Sequence, residues 1–240
     1  MRPLSIYVTA LMLRLNVTPM GATTLSIVLG LWGCWLIAWD SWVAGILLVN
    51  VWYLLDHVDG EIARYRGIVS PTGLYFDTLA NVFIQPGTFT AIGWALYQST
   101  GEMVWLFTGL IASYGLLMLA IIPFCESNVI LQWLQGGKKA PFAPASDGPA
   151  SAPPEKKAVV NDLFGRLHST VAFPNILLVL SPVILLGQGT PDFFEPAIKA
   201  LLTAYAVIST VIWSVVLTHQ ILSKKIDAKY EALKNELRSR

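Results

Sequence analysis

Three carboxylates, Asp56, Asp59 and Asp77, stand where long apolar runs meet, together with Gly60, Ala63, Arg64, Gly73 and Asn81. On a helix Asp56, Asp59, Gly60 and Ala63 fall at i, i+3, i+4 and i+7, which is one face. Asp77 and Asn81 are again i and i+4. The eight residues between Arg64 and Gly73 allow two helices to run antiparallel, so that the two polar faces meet. Three converging carboxylates repel unless something neutralises them. Hard divalent cations with oxygen ligands do so, magnesium first and manganese second, sharing the site with a phosphate group. Gly60 and Ala63 leave room for a ligand beside the helix. Arg64 supplies a fixed positive fork for phosphate. Charged groups at the end of an apolar helix are costly, which makes this cluster a functional hypothesis by default.

The elements that must hold these residues are membrane helices. Of the 240 residues 55% are hydrophobic and 13% charged. Soluble domains carry about a quarter charged residues. A spanning helix needs roughly 20 mostly apolar residues. Six candidates run from about Ala22 to Trp39, Trp42 to Asp56, Gly73 to Tyr97, Val104 to Cys125, Ser169 to Leu186, and Pro196 to Leu222. The second reaches spanning length if it continues through Arg64. Residues 4–15 are apolar but too short to span, and predict an amphipathic helix lying in the interface. The expected fold class is therefore an all-α integral membrane protein with six transmembrane helices and an N-terminal interfacial helix. Residues 1–223 form the membrane domain, with a flexible linker at about 136–160, rich in Gly, Pro, Ala, Ser and Lys. Residues 224–240 predict a charged C-terminal helix. Met-Arg-Pro-Leu does not open a secretory signal. Cys34 and Cys125 read as packing residues, without a disulfide. No internal repeat is evident.

With both termini cytoplasmic, 15 of the 16 Lys and Arg lie inside and only Lys199 outside. That bias fits the positive-inside rule. Trp39, Trp42 and Trp105 flank the short outer connections, where an aromatic belt belongs, although filling the bundle is an equal reading for Trp32, Trp35 and Trp52. The net charge of +1, with basic residues scattered between apolar runs, gives no footprint for nucleic acid.

The cluster resembles the signature of the CDP-alcohol phosphotransferases, Asp-x2-Asp-Gly-x2-Ala-Arg-x8-Gly-x3-Asp-x3-Asp. Asp56, Asp59, Gly60, Ala63, Arg64, Gly73 and Asp77 match in register, seven of eight fixed positions over 26 residues. Thr18-Pro19-Met20-Gly21-Ala22-Thr23 is similar to the family's Thr-Pro-Asn-x-x-Thr approach to the first crossing, with Met20 in place of Asn. The resemblance implies two divalent metals on Asp56, Asp59, Asp77 and position 81. It implies a CDP site lined by Gly60, Ala63, Arg64 and Ser70, with Pro19 and Thr23 nearby, and a homodimer. It also implies the reaction. An acceptor hydroxyl attacks the β-phosphorus of a CDP-linked lipid or alcohol, a phosphatidyl donor in the first instance, and CMP leaves. The expected setting is phospholipid synthesis in the cytoplasmic membrane of a prokaryote.

The eighth position is Asn81, where the family has the aspartate viewed as metal ligand and base. An amide has similar shape but takes up no proton at neutral pH. Three readings stay open: an engineered replacement, a natural branch with another base (Glu61 and His57 being nearest), or an inactive relative. His57 should point away from the aspartate face, Glu61 could pair with Arg64 at i+3, and Asn50 predicts an interhelical hydrogen bond. Glu126, Arg166, His168 and His219 are either acceptor-pocket or ordinary interfacial residues. Two other functions compete. A divalent-cation transporter needs polar residues continuing outward, but the outer halves of both helices carry no charge. A non-catalytic CDP-lipid binder is compatible with Asn81.

Overall fold

A computed structural model describes residues 2–68, 70–136, 173–223 and 225–238. Within them the chain is helical throughout, in the order α1 (Arg2–Arg14), α2 (Pro19–Ala38), α3 (Trp42–Arg66), α4 (Pro71–Thr100), α5 (Met103–Gly136), α6 (Phe173–Gly187), α7 (Pro191–Ser223) and α8 (Lys225–Arg238). The 136–160 linker, apart from Gly136, lies outside the described residues, as do Arg166 and His168. Four of the described helices, α2, α3, α5 and α7, are long and apolar enough to cross a membrane by length and composition. The sequence led us to expect six. α4 has 30 residues but interrupts its apolar run with Asp77, Asn81 and Gln85, and the described part of α6 has only 15. The second crossing does continue through Arg64, as its length required.

Small residues set the helix spacing. The broadest packing is between α2 and α3. A Cβ on Gly45 would stand 2.7 Å from the carbonyl oxygen of Gly33, and one on Gly33 2.9 Å from that of Gly45, so the two backbones touch. Gly93 of α4 and Gly109 of α5 make a second such crossing, each Cβ position 2.9 Å from the other's Cα. Without a hydrophobic driving force between helices in lipid, such close approach supplies the van der Waals contact that holds them. Asn50 donates from α3 to Ser181 Oγ of α6 at 2.8 Å, the interhelical bond its position suggested. Trp52 is fully buried between these helices, edge-on to Phe173.

The aromatic belt is only partly where the sequence placed it. Trp39 is exposed, but Trp42 is buried edge-on against Phe194, its indole donating to Asp40. Asp40 takes a left-handed φ of 65°, which turns the chain sharply enough to tuck Trp42 under α7. Trp32 and Trp35 face outward from α2.

At the other end of the bundle, α1 packs on α3 over a small cluster of Ala22, Val58 and Ile62, covered by Val8, Met12 and Leu13. Glu126 near the end of α5 is 9% exposed and accepts from Gln220 of α7 and Lys229 of α8. It is a tether for the C-terminal helices rather than part of the carboxylate cluster. Cys34 and Cys125 are both free thiols.

Candidate functional site

α3 ends in the polar face Asp56 to Arg64, closed by Gly67 in the left-handed conformation that lets the chain reverse into α4. Asp56, at the start of that face, meets α4 through Asn81. Asn81 Nδ2 lies 3.1 Å from Asp56 Oδ1, 3.3 Å from Asp77 Oδ1 and 3.0 Å from the Asp77 carbonyl. A carboxylate only accepts, so the amide must present its N–H end to both aspartates. Its oxygen is taken by Gln85 Nε2, one turn deeper on α4. Asp59 is turned toward α2: Thr23 Oγ1 donates to its Oδ2 at 2.6 Å, and Asp59 is 7% exposed. The same hydroxyl lies 3.1 Å from the Pro19 carbonyl, so Asp59 is held against the first turn of α2.

The sequence led us to expect three carboxylates drawn together on one spot. Two of them, Asp56 and Asp77, reach a single nitrogen, while the third accepts from Thr23. Among the described residues no three His, Cys, Asp or Glu side chains close into a ready cage. The donor set nonetheless fits a hard divalent cation. All of its candidate ligands are oxygens, and a species at the Asn81 amide position would have Asp56 and Asp77 both within reach. Asp59 needs only to leave Thr23.

Above the carboxylates opens a cavity of about 880 Å³, lined by Asp59, Gly60, Ala63, Arg64 and Asp77 from the signature together with the first turns of α2 and α4. A methyl on Gly60 would sit 3.2 Å from Arg64 Nη1. The guanidinium therefore lies back over Gly60, on the cavity wall. It makes no hydrogen bond or ion pair among the described residues, so its fork is available to an anion. Arg66 is committed to Asn16 Oδ1 at 3.0 Å.

The two helix starts at the rim are built alike, a correspondence missed in the sequence. α2 begins Thr18-Pro19-Met20-Gly21 and α4 begins Ser70-Pro71-Thr72-Gly73. In each the hydroxyl accepts from the glycine N–H at 3.0 Å, and proline occupies the first helical position. Hydroxyl caps and N1 prolines are the favoured chemistry of a helix start. Its signal, Ser or Thr then Pro-x-Gly, was readable. Helix starts carry partial positive charge and suit phosphate.

The remaining candidates lie elsewhere. His57 Nδ1 is 2.9 Å from the Tyr53 carbonyl, with its ring edge-on to Tyr53. Glu61 does not pair with Arg64. It accepts from Ser5 Oγ and Thr9 Oγ1 of α1, both at 2.6 Å. Gln85 is the other residue that sequence reading missed. It continues the i, i+4 series Asp77, Asn81, Gln85, but an uncharged side chain in an apolar run drew no notice.

Residues 16–145, more than half of the chain, match the family model described as CDP-alcohol phosphatidyltransferase. The chain belongs to the CDP-alcohol phosphatidyltransferase family. Among relatives, it is 29% identical over 96 residues to the bifunctional IPC transferase and DIPP synthase of Aquifex aeolicus (strain VF5). That match covers 40% of this chain and only 22% of the relative's own length. Among solved structures, the Mycobacterium tuberculosis phosphatidylinositol phosphate synthase with CDP-DAG bound superposes with a TM-score of 0.61 at 19% identity, covering 89% of this chain and 92% of that one. The same synthase in complex with manganese and citrate gives 0.58 at 19% identity, over 89% and 87%. These likenesses are of fold. Membership of this family and the four long apolar helices suit an integral membrane protein.

Proposed function

We propose that this chain transfers a phospho-alcohol, in the first instance phosphatidyl, from a CDP-linked donor to a hydroxyl acceptor with release of CMP. The observation that carries this reading is the 880 Å³ cavity, because one space joins two of the signature carboxylates, Asp59 and Asp77, to the Arg64 fork and two helix starts. A pyrophosphate needs positive charge and backbone donors, and those are what the wall and rim supply. Gly60, Ala63, Arg64 and Ser70, with Pro19 and Thr23, would line the nucleotide. Asp56, Asp59 and Asp77 would hold divalent metal, magnesium or manganese, in the family's two-ion arrangement. When bound, such ions polarise phosphoryl oxygens and offset the charge of the leaving group.

The bond that forms joins the acceptor oxygen to the β-phosphorus, and the bond that breaks joins that phosphorus to the oxygen leaving with CMP. The hydroxyl proton needs an acceptor. Asn81 is not one, and Glu61 and His57 are engaged on other faces. The carboxylates that Asn81 joins, Asp56 and Asp77, would serve as acceptors. Six crossings with both termini in the cytoplasm would place the cavity at the cytoplasmic surface, together with 15 of the 16 basic residues. A homodimer is the assembly that the family resemblance would imply.

A second reading has one observation in its favour. Asn81 fills the position of the expected base with a donating amide, which suits a protein that binds a CDP-lipid without turning it over. CMP release from CDP-diacylglycerol across a panel of alcohols, by this chain and by Asn81→Asp, separates the two. Turnover by either form supports the transferase. Tight binding of the donor with no CMP from either form supports the binder.

A further inference from the structure

We propose that Gln85 is a positioning residue of this site, fixing which end of the Asn81 amide faces the carboxylates and thereby setting how readily a divalent cation enters. The inference rests on reading the cluster as a metal centre. Asp77, Asn81 and Gln85 share one face of α4 at successive turns. Gln85 Nε2 donates to Asn81 Oδ1, so the amide has only its N–H end left for α3. That end is spent on the Asp77 carbonyl at 3.0 Å, Asp56 Oδ1 at 3.1 Å and Asp77 Oδ1 at 3.3 Å. An N–H group cannot ligate a cation, yet it stands between two oxygens that a cation would use. A cation that uses these two oxygens must therefore compete with the Asn81 N–H end. For Asn81 to add its own oxygen as a ligand, the amide must turn over and lose the bond from Gln85.

The chemistry of Gln85 can be reversed by one atom. A glutamate there only accepts, so Asn81 would give its N–H end to position 85 and turn Oδ1 toward Asp56 and Asp77. The cluster would then offer a further oxygen to a cation and lose its competing donor. The added negative charge also attracts a cation, and that contribution must be separated. In an Asn81→Ala background the charge remains but no amide is left to turn.

The test is Mn²⁺ binding to the full chain in nanodiscs, followed by the EPR signal of free Mn²⁺, for the unaltered chain, Gln85→Glu, Asn81→Ala and the double variant. We expect Gln85→Glu to tighten Mn²⁺ about tenfold more in the Asn81 background than in the Asn81→Ala background, a coupling of about 1.4 kcal/mol. Gln85→Leu adds no charge and frees the amide, and should also tighten binding. Equal tightening in both backgrounds, or none from Gln85→Leu, overturns the role of Gln85 and leaves the metal site standing. Mn²⁺ binding by none of the proteins at millimolar concentration overturns the metal reading and this inference together.

Discussion

Asn81 on α4 donates to Asp56 on α3, 25 residues earlier, and this bond joins two helices that otherwise pack sparsely at that level. Replacing the amide by a carboxylate turns an attraction into a repulsion. Metal-free Asn81→Asp should be less stable by about 1–3 kcal/mol, the scale of a lost hydrogen bond that leaves its partner unpaired. Magnesium or manganese should restore that stability and more. Thermal unfolding in EDTA and in Mn²⁺ measures both, and a variant that melts identically in the two would contradict a metal site here. If the transferase reading holds, CMP release should rise in this variant.

Among the described residues Arg64 lies over Gly60 without a hydrogen bond or close ion pair. Arg64→Lys keeps the charge but loses the planar fork, and should weaken binding of a CDP-linked donor by about tenfold, or about 1.4 kcal/mol. Gly60→Ala presses a methyl to 3.2 Å from Arg64 Nη1 and should weaken binding in the same direction with the fold intact. Calorimetric titration with CDP-diacylglycerol in nanodiscs reads both. Unchanged affinity in Arg64→Lys would remove the fork from the site.

Ser5 and Thr9 hold Glu61 from α1. Bonds from hydroxyls to a carboxylate contribute about 1.5–3 kcal/mol each. Ser5→Ala with Thr9→Ala should release α1 from the bundle while leaving α2 and α3 in place. Hydrogen exchange should then rise across residues 2–14 and stay unchanged across 42–66. Equal protection in both proteins would mean that the apolar cluster under α1 suffices.

Gly45 has no room for a side chain against Gly33 and Ile37. Gly45→Val should destabilise the bundle by about 1–3 kcal/mol or more, the range for overpacking, because backbone on α2 must move. A lowered melting temperature in detergent is the expected reading. Gly101→Ala makes a useful contrast. No atom stands within 4 Å of its Cβ position, but φ is 74°, so its cost is backbone strain alone and should be near 1 kcal/mol.

The helices and the signature were legible because they rest on local spacing. An i, i+3, i+4, i+7 pattern puts Asp56 to Ala63 on one face whatever surrounds them, and spanning length forced the second helix through Arg64. What escaped depends on partners remote in sequence. Glu61 had Arg64 as its visible neighbour, yet its partners are 52 and 56 residues away on α1. Asp59 was assigned with the other aspartates, and only the placement of α2 reveals that it also accepts from Thr23. Trp42 looked like an interfacial anchor because the left-handed turn at Asp40 cannot be read from composition. Gln85 matters only through the orientation of a neighbouring amide, which no spacing rule carries.

The paired starts of α2 and α4 can be followed one atom further. A helix leaves four N–H groups without intrahelical partners, counting the cap. Here proline removes one of the four and the Thr18 or Ser70 hydroxyl takes the glycine N–H, while the cap carbonyl starts the helical ladder at the fifth, on Ala22 and Leu74. Among the described residues this leaves one unclaimed amide in the first turn of each helix, at Met20 and at Thr72, both on the cavity wall. A backbone donor is indifferent to the side chain it belongs to. Positions 20 and 72 can therefore drift in evolution without altering what they offer an anion, and methionine where relatives in the family carry asparagine leaves that offer intact.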